Sequence, residues 1–360
     1  MDFEDILRRE RQIPIRPLGA GYVYQAYNLE DGMVAIKIMK KEKFSQRELD
    51  SSINLYKHFI FKTKGNHNQF ILRYHFYQSQ REYPIFITDY ANMKTLEVIV
   101  RQQQMKPLPN YALRTLFKQI LEGIRVFHSA GLVHRDIKCD NILLHCPPGS
   151  GRVYAKLSDF GFAKKEDLEG GNTYSVGTYP FMAPELFQIP VISTQKVDIY
   201  AVGITFYRLL TNDYPIKGNI PDDYFRKMTQ QMYIKRPPGI TDDHLWNLIS
   251  QMLDFNPDRR ITATEALKHE YFTSSEAISD ISPEQQELAT KATELKEKGD
   301  KTISEYDINP TFIMPETVIS NYFPKDELEE LIQNNKENKT PKLKVKLIVK
   351  MNNKLMTVKL

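Results

Sequence analysis

Cysteine is nearly absent: Cys139 and Cys146 are the only two in 360 residues. So few exclude a disulfide framework, and their spacing is not one that zinc sites use. A reducing, intracellular compartment is expected. An excess of one charge is missing as well, since 49 Lys and Arg against 45 Asp and Glu leave a formal charge of +4. That balance gives nucleic acid or a membrane surface no electrostatic footing as main partner. No run of residues approaches the apolar length of a membrane span, and Met1 to Arg11 is charged by turns with no apolar core of a signal peptide. These absences predict a soluble cytoplasmic or nuclear protein. Internal repeats are also missing. What is present is ordinary for a globular chain: 41% hydrophobic and 26% charged residues can bury a sizeable core. The length suits one large domain with a tail, or two modest domains.

From Ile13 to Asp89, short apolar runs such as VAIKIM and PIFITDY alternate with glycines and read as strands, interrupted by one helical stretch around Ser45 to Phe61. From Asn110 the apolar residues Leu113, Leu116, Ile120, Ile124 and Phe127 recur at helical spacing, as do Ile199, Ile204 and Leu209. The predicted fold is therefore α+β, with a small sheet-rich lobe over about 13–90 and a larger helical lobe over about 91–272. Between His134 and Glu185 the chain is rich in Gly, Pro and polar residues, as loops that carry chemistry are. Residues 1–12 read as an extension and 273–360 as a tail, charged and Gln/Asn-rich, with a helical pattern at Pro283 to Lys298. The closing run KLKVKLIVKMNNKLMTVKL alternates Lys with Leu343, Val345 and Leu347 and turns at Asn352 and Asn353. It reads as a hairpin, either a basic docking or membrane-surface element or an edge pair with a solvated lysine face. The tail's partner is not legible.

Phosphoryl transfer needs phosphates held, a divalent cation bound and an attacking hydroxyl oriented, with little covalent chemistry from the protein. The strand VAIK ends on Lys37, an ammonium suited to the α- and β-phosphates. HRDIKCDN supplies Asp136 to orient the hydroxyl and accept its proton, Lys138 to meet the γ-phosphate and Asn141 to reach magnesium. DFG offers the Asp159 carboxylate to the same ion. Each residue alone has a bland reading: Lys37 as a surface lysine at a strand end, Asp136, Asn141 and Asp159 as turn formers.

Taken in order, HRDIKCDN, DFG, GTYPFMAPE, DIYAVG and DFNPDRRIT resemble the eukaryotic protein kinases, from about Ile13 to Phe272. The resemblance implies a two-lobed kinase fold, ATP and Mg2+ as cofactors, protein substrates, and transfer to serine or threonine, because Lys138 follows Asp136 as in that class. It implies that Glu185 pairs with Arg260, that Asp198 caps the catalytic-loop backbone, and that Thr178 bonds Asp136 and Lys138. Tyr200 stands where most members have Trp. Val23 and Ala35 would cover the adenine, and Thr88 falls at the gatekeeper position, so that the Asp89 carbonyl and Ala91 amide meet the base edge. DFGFAK faintly resembles autophagy-initiating kinases, and calcium/calmodulin-type kinases share much of the pattern. Arg135 would receive a phosphorylated residue among Thr173, Tyr174 and Ser175, which lie beside Gly170 and Gly171. An ATP-binding scaffold without transfer and a small-molecule kinase are the alternatives; the complete set Lys37, Asp136, Asn141 and Asp159 argues against the first and GTYPFMAPE against the second.

Two places depart from the family pattern. After Gly19-Ala20-Gly21, either Tyr24 replaces the third glycine or the loop is about two residues short, and the spacing from Val23 to Lys37 fits the shorter loop. Glu48 is the candidate partner of Lys37, but it requires the insertion KTKGNHN before a strand at Phe70 to Tyr74; the alternative is a solvated glutamate on a helix face. A second insertion, HCPPGSGR, reads as a surface loop.

Overall fold

The computed structural model describes residues 3–10, 12–18, 22–28, 31–43, 46–62, 67–78, 83–102, 106–166, 177–188, 190–218, 221–231, 233–323, 346–351 and 354–359. It divides into two compact units, Met1–Tyr322 and Phe323–Leu360.

The first unit opens on helix α1 (Phe3–Arg9) and an antiparallel sheet of β1 (Ile13–Leu18), β2 (Val23–Asn28), β3 (Gly32–Ile38), β4 (Tyr74–Gln78) and β5 (Ile85–Asp89), in the order β1-β2-β3-β5-β4. Side chains alternate across a strand, so Val34, Ile36 and Ile38 share one face with Ala26, Ile85 and Ile87, and Leu7 of α1 buries against them with Phe3 alongside. The segment expected as an extension is thus the lid of the small lobe's core. Helix α2 (Gln46–Lys62) covers the expected helical stretch. The expected strand from Phe70 does not begin until Tyr74. Phe70 to Leu72 instead pair with Leu157 in the large lobe: Leu157 N donates to Phe70 O (2.9 Å) and Leu72 N to Leu157 O (2.8 Å).

The large lobe is built from α3 (Glu97–Gln102), α4 (Asn110–Ser129), β6 (Leu132–Val133), β7 (Ile142–His145), β8 (Arg152–Leu157), β9 (Lys164–Lys165), α5 (Lys196–Thr211), α6 (Pro221–Gln231), α7 (Asp243–Met252), α8 (Ala263–Ala266) and α9 (Glu270–Thr273). Helix α5 is buried on almost every side, as its mostly apolar sequence from Ile199 to Phe206 requires. β7 pairs with β8 and β6 with β9. Gly123 of α4 marks a close approach: a Cβ there would lie 2.9 Å from the Phe70 carbonyl oxygen.

The compact unit does not stop at Phe272, where the expected tail begins. It adds α10 (Ser275–Ser279), α11 (Pro283–Glu297), β10 (Met314–Pro315) and α12 (Glu316–Ser320), and β10 pairs with β8 as a third strand. A buried glutamine locks this addition in place. Gln285 Nε2 lies within 2.9 Å of Thr115 Oγ1 on α4, 2.9 Å of Ile313 O and 3.2 Å of Pro310 O. The HCPPGSGR loop is correspondingly half covered. Cys146 is buried, and Gly151 O accepts from Glu316 N (2.9 Å). In the second unit, β11 (Lys346–Met351) and β12 (Lys354–Lys359) form the hairpin, with Leu347 opposite Val358 and Val349 opposite Met356. The turn residues Asn352 and Asn353 lie outside the described residues. Among the described residues, no helix is long and apolar enough to cross a membrane.

Candidate active site

The sheet presents its second face to the large lobe. Val23 lies opposite Lys37, and Ala35 opposite Thr88, so these four share that face. Gly19 and Gly21 lie outside the described residues. Lys37 Nζ sits 3.1 Å from both carboxylate oxygens of Glu48 and 3.7 Å from Asp159 Oδ1. Glu48 is 2% exposed, which removes the solvated alternative. Burial works against the ammonium, but the Glu48 and Asp159 carboxylates outweigh it and raise the Lys37 pKa. Tyr74, which the sequence did not single out, donates its hydroxyl to Glu48 Oε1 (2.9 Å). Burial, with Glu48 beside it, pushes that phenol well up. Nothing in the sequence around Tyr74 distinguishes it from any other tyrosine in a strand.

At the end of β5, the Asp89 side chain is held by His75 Nε2 (2.7 Å), Arg73 and Lys156. Burial opposes ionisation, but the hydrogen bond from His75, with the Lys156 and Arg73 charges nearby, holds its carboxyl well below the usual range. The Thr88 hydroxyl lies 3.2 Å from the Asp89 carbonyl, which keeps one lone pair for another donor. Ala91 follows two residues on.

The catalytic-loop segment is pinned from below. Asp198, fully buried in the first turn of α5, accepts from the amides of His134 and Arg135 (2.8 Å each) and from His128 Nε2 (2.9 Å). Burial would raise the Asp198 pKa, but the His128 bond and the His134 amide bring it down. Arg135 then takes φ +66°, a left-handed conformation that non-glycine residues adopt only when the surroundings impose it. The turn delivers Asp136 in a fixed pose: Oδ1 accepts from Thr178 Oγ1 (2.9 Å), and Oδ2 from Asn141 Nδ2 (2.8 Å) and Lys138 Nζ (2.9 Å). Thr178 Oγ1 also accepts from Lys138 (2.9 Å). Gly177 before it has φ +132°, and a Cβ there would meet the Arg135 carbonyl at 2.9 Å.

Asp159 is also left-handed (φ +61°), and its Oδ1 accepts from Gly161 N (3.3 Å). The next side chain, Phe160, is buried among Tyr74 (5.1 Å between centroids), Phe127 (5.3 Å) and His134 (5.7 Å). Aromatic packing thus joins Tyr74 in the small lobe to His134 in the large one. Asn141 spends its amide nitrogen on Asp136, leaving an amide oxygen, and the Asp159 carboxylate is 46% exposed. Two oxygen donors with room for phosphate oxygens and water suit a hard cation such as magnesium. Further down, Glu185 and Arg260 form a buried two-pronged pair (2.6 and 2.9 Å), and Tyr200 lies under the Arg260 guanidinium, 5.1 Å from it. Thr173, Tyr174 and Ser175, with Gly170 and Gly171, lie outside the described residues; Arg135 Nε donates to Phe162 O (2.7 Å).

A family model described as the protein kinase domain matches residues 17–272. The chain is 34% identical over 193 residues to the serine/threonine-protein kinase pkpA of Phycomyces blakesleeanus, covering 52% of this chain and 30% of that protein. It is 28% identical over 264 residues to the CBL-interacting protein kinase 30 of Oryza sativa subsp. japonica, covering 71% and 53%. It thus spans about a third to a half of the length of these relatives. A chain of the CAK complex from Chaetomium thermophilum bound to ATP-gamma-S has the same fold, with a TM-score of 0.60 at 21% identity over 76% of this chain and 95% of that one. The match from residue 17 to 272 takes in both lobes and every motif between them, and on it the chain belongs to the eukaryotic protein kinase superfamily, serine/threonine type.

Proposed function

We propose that the chain transfers the γ-phosphoryl group of ATP to serine or threonine hydroxyls of protein substrates. The observation that carries this reading is the assembled set: Lys37 paired with buried Glu48, and Asp136 held by Thr178, Asn141 and Lys138. Lys37 is positioned to hold the α- and β-phosphates, with Val23 and Ala35 over the adenine and the backbone of Asp89 and Ala91 at its edge. Asp136 orients the attacking hydroxyl and accepts its proton, which leaves the hydroxyl oxygen as that oxygen bonds to the γ-phosphorus, and the bond from that phosphorus to the β-phosphate oxygen breaks to release ADP. Lys138, 2.9 Å from Asp136 Oδ2, offers its ammonium to the transferring phosphoryl oxygens. Asn141 and Asp159 are the residues that would hold magnesium, which when bound would neutralise the charge that develops on the phosphate oxygens. A scaffold without transfer would not need Asp136 so tightly oriented, and the Tyr179 to Glu185 stretch that follows Thr178 suits an extended peptide. Incubation with radiolabelled ATP, magnesium and a generic peptide library tests the proposal. Label on serine or threonine peptides, lost in Asp136→Asn, is expected. An inert wild-type protein that still binds ATP would overturn it in favour of the scaffold.

A further inference from the structure

The stretch from Ile303 to Phe312, well past the kinase match, returns to the small lobe at one turn. Tyr306 is its centre. The Tyr306 hydroxyl donates to Glu122 Oε1 on α4 (2.6 Å) and accepts from Asn68 Nδ2 (3.4 Å). Its ring meets Phe70 edge-on with centroids 5.0 Å apart, and Phe312 stacks on the same Phe70 at 5.8 Å. Beside them Ser304 Oγ lies 2.7 Å from Gln69 Oε1. The stretch is itself rooted in the large lobe, because Asp307 is buried against Arg152 and Tyr154 of β8.

Asn68 to Phe70 join α2 to β4, and both of those elements lead to the reacting groups. From Phe70 the chain crosses the Leu157 pairing, two residues before Asp159, and reaches Tyr74, which bonds Glu48 and packs on Phe160. Before Asn68, residues 63–66 lie outside the described residues, and α2, which ends at Lys62, carries Glu48 itself. A turn seated between the Tyr306 ring and Gly123 of α4 therefore sets where the Tyr74 hydroxyl meets Glu48.

We infer that residues 303–312 are a positioning element for phosphoryl transfer: Tyr306, with Ser304 and Phe312 beside it, fixes the Asn68 to Phe70 turn and thereby holds Glu48 against Lys37. The inference rests on the proposed function. Its structural half does not, because it concerns only the order of α2. Tyr306 touches no reacting atom. Removing it leaves Glu122 with Arg125, at 2.5 and 2.7 Å, so no buried charge is stranded.

The test uses the full chain carrying Tyr306→Ala, and Tyr306→Phe as the variant that keeps the ring should the first fail to fold. Peptide transfer kinetics are measured in the wild-type and Glu48→Gln backgrounds, and amide hydrogen exchange is followed over residues 46–62. In the wild-type background kcat/KM for ATP should fall about five- to tenfold for Tyr306→Ala and about twofold for Tyr306→Phe, the size of coupling between linked sites. In the Glu48→Gln background the same substitutions should cost less than about twofold, because the link is already cut. Exchange over α2 should quicken while that over α4 stays unchanged. Equal losses in both backgrounds, or unaltered α2 exchange in a folded variant, would overturn the inference. If the wild-type chain transfers no phosphate, the functional reading fails alone and α2 exchange still decides the positioning role.

Discussion

Asp136 has both carboxylate oxygens engaged by Thr178, Asn141 and Lys138, so its orientation is fixed before any hydroxyl arrives. Asp136→Asn puts an amide where Lys138 and Asn141 need an acceptor and removes the base. Turnover should fall about 100- to 10,000-fold with ATP affinity nearly unchanged, measured by steady-state kinetics alongside nucleotide titration. Asp159→Asn keeps the shape and the bond to Gly161 N but loses the anionic oxygen pair, so transfer should be abolished while the melting temperature holds. Activity of that variant near the wild-type level would exclude the magnesium role. These residues are legible in the sequence because each needs a specific functional group at a specific spacing along one short loop. Glu48 is legible only as a candidate, since its role depends on where a helix docks; Tyr74 is not legible at all, since its hydroxyl matters only through a partner 26 residues away.

At the level of elements, what the sequence conceals are contacts between segments far apart in the chain. The strands and helices of both lobes follow from apolar spacing, but α1 offers a seven-residue charged stretch whose one buried residue, Leu7, completes the sheet's core. The helical pattern expected at Pro283 to Lys298 does form α11, but the polar composition of 273–322 hides that its Gln285, Ala289 and Ala292 are buried. Gln285→Ala should cost about 2 kcal/mol, since it strands buried acceptors on α4 and before β10; urea unfolding would measure it, and a loss under about 0.5 kcal/mol would show that the helix is held otherwise. Strand β7 carries a second consequence. Burial, and then Lys156 beside it, push the His145 pKa down to about 3, and its Nδ1 has no hydrogen-bond partner among the described residues. In the unfolded chain this imidazole gains a proton near pH 6.5, in the folded chain only near 3. Its neutral state therefore costs nothing above pH 6.5, and stability is lost as the pH falls from there toward 3, by about 2 kcal/mol at pH 5 for this group. Comparing urea midpoints at pH 7 and pH 5, His145→Leu should lose less stability than wild type across that interval. Equal losses would mean that His145 takes up its proton in the folded state as well.

For the whole molecule, the compact unit ends at Tyr322 rather than at Phe272. A chain cut after Tyr322 should melt within about 2 °C of the full protein. One cut after Phe272 should melt far lower or fail to fold, because it uncovers the α4 and β8 surfaces that α11 and β10 bury. Circular dichroism melts of the two truncations decide the point, and equal stability would show the addition to be dispensable. The bond between Asn68 and Tyr306 closes a loop of 238 residues. During synthesis at about 5 to 20 residues per second, the Asn68 to Phe70 turn waits roughly 10 to 50 s for its anchor to be made. Once β5 has followed, the small lobe spends the rest of that interval on the ribosome with the Phe70 side chain uncovered by Tyr306 and Phe312. A nascent chain stalled between residues 272 and 300 should consequently offer Phe70 to chaperones and proteases, and release past residue 312 should withdraw it.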